Sequence, residues 1–303
     1  MRWERLAVPL TLLTLAGCSG GSDEAAPTTT TSETTTSTAA PTTTTTTWPA
    51  RPVLPASATE TAGALRQAEA ALQKPAIGTG ELAYFSHLQQ VATRVLAGHP
   101  EWDVDVLGAL PAEHRQAIVD NVEAGRQLRS LVRTPKPNLP AWTIVEAAPA
   151  DELRGYYEEG ERVHGVPWEY LAAVHLTETR MGRLRGTSTA GAQGPMQFIP
   201  STWAAYGTGD INSNHDAILA AANYLAANGG ARGDLDNALY RYNPTPKYVK
   251  AVTLYAERMR ADPLAYRAYW GWQVYYWSTL GDVWLPPGWS RTESRPVTPA
   301  DLG

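Results

Sequence analysis

Glu178 is the residue from which chemistry is most readily built. The spacing predicts a helix over 167–181, opened by Pro167, which presets the first-turn dihedral, and closed near Gly182. Leu171 and Val174 share a face with Glu178 at steps of three and four. Ionising a carboxyl on such an inward face costs solvation, so its pKa climbs toward neutrality. A carboxyl of that kind keeps a proton at working pH and can still release it, as a general acid for glycosidic cleavage must. The same residue could instead turn outward at the helix end or pair with Arg180 or Arg183, and from this helix alone that structural reading prevails.

Two further segments carry groups suited to such chemistry. Gly191-Ala192-Gln193-Gly194-Pro195-Met196-Gln197-Phe198 is a glycine-punctuated loop that lets backbone approach a ligand closely, and Ser201 is expected to cap a short helix after it. Ala238 to Asn243 ends another helix just before Pro244, and Tyr248 opens the next.

The elements that must position these groups read as helices almost throughout, and no alternating run is long enough to propose a sheet. Helices are predicted at 58–73, 80–97 and 111–132, with Leu65, Leu88, Val91, Ile118 and Val122 among their apolar faces. Pro135, Pro137 and Pro140 then break the pattern and mark a boundary. Further helices are predicted at 150–163, 201–206, 216–228, 234–242, 245–260 and 263–278, and the tail after Trp289 is expected to fray.

Taken in order, Glu178-Thr179, the 191–198 loop and Tyr242-Asn243 form a pattern that resembles the lytic transglycosylases of lysozyme-like fold. Glu-Thr-Arg-Met-Gly at 178–182 and Gly-Pro-Met-Gln-Phe-Ile-Pro-Ser-Thr-Trp at 194–203 look closest to the membrane-bound B type. The resemblance covers roughly residues 145–260. It implies a mostly α fold, in which a lysozyme-like (SLT-type) catalytic domain carries an additional N-terminal helical segment. It also implies peptidoglycan glycan strands as substrate and no cofactor or metal. Position by position, Glu178 matches the catalytic acid/base, and Met196 and Gln197 match residues lining the glycan groove. Tyr242 matches the tyrosine whose hydroxyl bonds the catalytic carboxyl, Asn243 its neighbouring asparagine, and Tyr248 a tyrosine of the cleft wall. The chain departs from the family where Arg241-Tyr242-Asn243-Pro244-Thr245 replaces the commoner Ala-Tyr-Asn-Ala-Gly, which bears on the local backbone shape. The implied reaction cuts the bond between N-acetylmuramic acid and N-acetylglucosamine and leaves a 1,6-anhydro end, using one carboxyl. A lysozyme-type hydrolase would need a second carboxylate, for which Asp210 and Asp216 are the candidates, and a glycan-binding protein without turnover is the third reading.

Cys18 is the only cysteine. It follows a charged start, a short apolar run and Leu15-Ala16-Gly17, the layout of an export signal too short to span a membrane. The spacing looks like a bacterial lipobox, which implies cleavage before Cys18, lipidation of its thiol and an extracytoplasmic protein anchored to the cell membrane by acyl chains. No disulfide or Cys-based metal site is then available. The expected layout is a signal peptide at 1–17, a lipidated Cys with a disordered Thr/Ser/Pro-rich linker at 18–55, an N-terminal helical region at 56–134 and a catalytic domain at 141–262. An aromatic-rich docking helix at 263–289 and a tail at 290–303 complete it.

The formal net charge of −5 gives no reason to expect nucleic-acid binding. The N-terminal helices are expected either to pack beside the catalytic unit or to bind other cell-wall enzymes. Asp210 to Asp216 resembles the start of a calcium loop, but His215 and Ala221 stand where glycine and glutamate are needed, so helix capping by Asn214 or Asp216 is the simpler account. His175, one turn before Glu178, reads as a packed core residue rather than a partner in proton transfer. The aromatics between Tyr266 and Trp289 read as a packing seam rather than a sugar-stacking surface.

Overall fold

A computed structural model describes residues 48–188 and 190–302. Cys18, the export signal and most of the Thr-rich linker lie outside the described residues.

The fold is mostly α, with eleven α-helices among the described residues. The first four form an N-terminal layer: α1 (Ala58–Leu72), α2 (Thr79–Gly98), α3 (Asp103–Gly108) and α4 (Ala112–Arg129). Leu65, Leu96, Val106, Ile118 and Val122 interlock there. Ser57 starts α1 by accepting the Glu60 amide, as a serine N-cap does. After the proline-rich boundary come α5 (Ala150–His164), α6 (Trp168–Thr179), α7 (Pro200–Tyr206), α8 (Asn214–Ala227), α9 (Leu235–Tyr242), α10 (Pro246–Ala261) and α11 (Leu264–Trp270). Helix α6 runs through the middle, and Leu171, Ala172, Ala173, Val174 and Leu176 are wholly buried. A helix apolar on all sides must lie inside, and α5, α8, α10 and α11 pack around it.

The two halves are not loosely joined. Helix α4 packs along α10, and α2 packs on α11. The Tyr269 hydroxyl donates to Asn121, the Trp272 indole N–H donates to Gln89 Oε1 at 3.0 Å, and the Gln90 side-chain amide donates to the Gln273 backbone carbonyl and accepts its backbone N–H, both at 2.8 Å. The aromatics beyond residue 266 are therefore a packing seam.

That seam is not one helix. Helix α11 stops at Trp270, and Val274–Ser278 and Gly281–Leu285 form an antiparallel hairpin. A docking helix at 263–289 is thus corrected. The run Val274-Tyr275-Tyr276-Trp277 is β-branched and aromatic, which suits a pleated, half-buried surface. Gly281 supplies the positive φ at the hairpin turn. The tail does not fray either. Arg295–Pro296 pairs with Asn138–Leu139, and Arg295 forms an ion pair with Asp301. A third short pair joins Thr143–Ile144 to Leu184–Arg185, beside the end of α6. Ile199, not Ser201, precedes α7 as its cap residue, because Pro200 already occupies the first helical position. Ser213 caps α8 by accepting the Asp216 amide, in place of Asn214 or Asp216.

Candidate active site

The end of α6 is shaped by three successive left-handed residues, Arg180, Met181 and Gly182. For the two that are not glycine this backbone is strained by roughly 1–2 kcal/mol each, so the surroundings must hold it. They do so through Thr179, whose hydroxyl donates to the Pro195 carbonyl at 2.6 Å and accepts the Gly182 amide at 3.1 Å. The wholly buried Met181 side chain adds packing, and the Met181 amide donates to the His175 carbonyl at 3.2 Å. Glu178 thus sits on the last turn of a helix whose end is clamped to the 191–198 loop.

The loop itself is fixed at Gly194. Its φ is 73°, and a Cβ there would lie 1.9 Å from the Ile211 carbonyl oxygen, so only glycine fits. Gln197 also has positive φ, and its side-chain amide donates to the Gly194 carbonyl at 2.9 Å. The Gln193 and Phe198 backbones bridge across the loop.

The Tyr248 hydroxyl donates to Glu178 Oε1 at 2.7 Å. Neither Arg180 nor Arg183 forms an ion pair with Glu178. Arg180 donates to the Leu176 carbonyl at 2.6 Å, and Arg183 Nη1 to the Arg180 carbonyl at 3.3 Å. Burial pushes the Glu178 carboxyl up to about 7, and the Tyr248 hydrogen bond pulls modestly the other way. The C-terminal end of the helix dipole also disfavours the anion. Because Oε1 accepts from tyrosine, the proton of the acid form sits on Oε2.

Tyr242 does not reach the carboxyl. Its hydroxyl donates to the Met196 carbonyl at 2.5 Å, so the hydroxyl assigned to Tyr242 by resemblance is supplied by Tyr248. The reason lies in α10. Its cap residue Thr245 follows Pro244 directly, and Tyr248 on the first turn is turned into the core, 98 % buried, rather than forming an open cleft wall. The two rings stack 6.5 Å apart. Met196 is likewise corrected: its side chain is buried in the core, and only its backbone carbonyl takes part. Gln197 and Asn243 remain half-exposed beside the site, Asn243 as the residue that ends α9.

Sequence reasoning missed Thr179. Its signal was present, since a hydroxyl directly after the glutamate is well placed to satisfy a helix end. His175 is wholly buried, its Nδ1 bonded to the Tyr157 hydroxyl at 2.7 Å. Burial takes its pKa down to about 3, so it is a neutral core group. The Asp210–Asp216 segment closes on itself. Asp216 accepts the Asp210 amide at 2.8 Å and bonds His215, and Asp210 accepts the Asn212 amide at 2.9 Å.

A helix-end carboxyl with a raised pKa, one tyrosine donor and a clamped backbone loop is an arrangement for handing a proton to a bound oxygen and taking one back. Residues 183–236 match the Transglycosylase SLT domain family. That stretch contains the 191–198 loop and α8; it begins five residues beyond Glu178 and ends before Tyr242. The chain is also similar to the membrane-bound lytic murein transglycosylase F of Thiobacillus denitrificans, 33 % identical over 75 residues. The match takes in 25 % of this chain and 16 % of that protein, so the chain spans only a small part of its relative's length. No solved structure gives a significant match.

Proposed function

We propose that this protein is a peptidoglycan lytic transglycosylase in which Glu178 is both acid and base. The observation that carries the reading is the Glu178 carboxyl, held near neutral pKa by burial and oriented by Tyr248, beside the loop that falls within the matched family segment. Glu178 gives the proton on Oε2 to the oxygen linking N-acetylmuramic acid to N-acetylglucosamine. As that C–O bond breaks, an oxocarbenium-like centre forms at the muramoyl C1, stabilised by the substrate's own N-acetyl carbonyl. The Glu178 carboxylate then takes the proton of the muramoyl C6 hydroxyl, whose oxygen bonds to C1. The product is a 1,6-anhydro end, and the carboxyl is again protonated.

The hydrolase reading needs a second carboxylate facing the same bond. Asp216 is engaged with His215 and the Asp210 amide, and Asp210 is exposed with its Oδ1 taken by Asn212. Burial raises the Glu178 pKa against the Tyr248 hydrogen bond, and no neighbouring carboxylate among the described residues contributes. Both points support the one-carboxyl cycle. The export signal and Cys18 support an extracytoplasmic site of action with an acyl anchor.

The test is product analysis. Purified sacculi digested by the wild type should release muropeptides with anhydro ends, identified by mass spectrometry, and Glu178→Gln should release almost none. Reducing ends would establish the hydrolase, and equal behaviour of wild type and variant would leave only a binding role.

A further inference from the structure

A cavity of about 680 Å³ lies between the N-terminal layer and the helices that follow residue 150. That volume is typical of a small-ligand pocket. Helices α2 and α4 form one wall, the end of α6 and α10 another, and the strand Val274–Ser278 a third. Five cations line it (Arg94, Arg129, Arg133, Lys136 and Arg180), and no carboxylate does. The chain as a whole is net negative, so this concentration runs against the average.

Asp282 engages two of the five, Arg94 at 2.6 Å and Arg129 at 3.6 Å. Among the described residues, Arg133, Lys136 and Arg180 have no carboxylate within ion-pair distance. Thr93, 97 % buried, lines the same cavity with its hydroxyl unpartnered. Aromatic rings from Trp142, Trp272, Tyr275 and Trp277 supply the remaining walls. Such a lining selects a ligand with several carboxylates and some apolar body.

The cavity and the Glu178 site share two helices, α6 and α10. Arg180 follows Glu178 by two residues, and Tyr255 in the cavity lies seven residues beyond Tyr248 on α10, about 10 Å along the axis. Trp142 packs against Gly186, whose carbonyl is within 3.4 Å of the Gln197 side-chain amide. In peptidoglycan a carboxylate-rich peptide hangs from the muramic acid whose C1 bond would be cut. Three extended residues of it span roughly 10 Å.

We propose that this cavity binds the carboxylate-bearing peptide of the peptidoglycan repeat through Arg129, Arg133, Lys136 and Arg180, so that the protein reads the peptide next to the bond it cuts. The proposal rests on the glycan reading of the Glu178 site. The N-terminal helices thereby become part of substrate recognition.

The full chain is titrated with a soluble stem tetrapeptide bearing free carboxylates, followed by tryptophan fluorescence, since three of the lining residues are tryptophans. In parallel, Glu178-dependent release of ends is measured on intact strands and on strands stripped of peptide. Saturable binding is expected, weakened about tenfold or more by R133E/K136E, by carboxyl amidation of the peptide and by high salt. Intact strands should be preferred, with the preference reduced in R133E/K136E. R133A/K136A replaces the reversal pair if circular dichroism shows the latter unfolded. Absence of saturable binding, equal binding of the amidated peptide, or displacement by an equal concentration of inorganic phosphate overturns the assignment. Cleavage without peptide binding removes the cavity proposal alone, whereas peptide binding without Glu178-dependent cleavage removes the enzymatic reading alone.

Discussion

Tyr242 and Tyr248 lie 3° from parallel, and they divide two tasks between them. Tyr248 bonds the Glu178 carboxyl, while Tyr242 bonds the Met196 carbonyl and so holds the loop. One stacked pair therefore sets both the acid and the backbone facing it. Tyr242→Phe should act on the loop and raise KM more than it lowers kcat. Tyr248→Phe should lower kcat, and steady-state kinetics on soluble glycan strands separates the two.

The pH dependence follows from the same contact. Glu178 must begin protonated, so the rate should fall as pH rises through about 7. The Tyr248 hydrogen bond favours the anion, and Tyr248→Phe removes it. The alkaline limb of kcat/KM in that variant should shift to higher pH. A limb that stays in place would mean that Glu178 is not the group being titrated.

Glu178→Gln should cost about 10²–10⁴-fold in turnover if the residue is the general acid. Its stability should move in the opposite direction. A carboxyl whose folded pKa lies above its unfolded value takes up protons on folding, so the wild type loses stability as pH rises from about 4.5 to about 7. Glutamine has no such loss. The unfolding free energy of the variant should gain on that of the wild type across this window, by on the order of 1–3 kcal/mol, and level off above it, as thermal melts against pH would show.

Gly194→Ala and Gly191→Ala form a matched pair. Both glycines have positive φ, but a Cβ at Gly191 meets open space whereas one at Gly194 collides with the Ile211 carbonyl. Gly191→Ala should cost about 1 kcal/mol of stability and leave most activity. Gly194→Ala should displace the loop, with larger losses of both stability and activity in thermal melts and end-release assays.

The seam between the halves predicts one melting transition rather than two. Tyr269→Phe leaves buried Asn121 without its partner and should lower stability by about 1–3 kcal/mol. Calorimetry should show the single endotherm shifted to lower temperature, not split.

The sequence was most legible where one physical signal dominated. The apolar periodicity of α1, α2 and α10 and the proline stops placed the helices to within a few residues. A carboxyl on an apolar face did not by itself single out Glu178; the 191–198 loop and Tyr242-Asn243 following it in order did. The hairpin at 274–285 was not legible, because aromatics at helical spacing also satisfy a strand when several neighbouring residues are half-buried. The exchange between Tyr242 and Tyr248 was hidden for another reason. Which hydroxyl reaches the carboxyl depends on how Pro244 and Thr245 set the start of α10, a tertiary relation that spacing along one helix does not encode. The cationic cavity is assembled from α2, α4, α6 and the hairpin, whose residues lie far apart in the chain.

The pairing of Asn138–Leu139 with Arg295–Pro296 has a kinetic consequence. It joins residues roughly 160 positions apart, and closures of that span come late in folding because the loop entropy is lost before contacts repay it. A chain made N-terminus first would have its helices in place before this clasp could form. Until residue 295 is available, the seam beside the cationic cavity stays unlatched, and trimming the clasp should speed unfolding more than it slows folding.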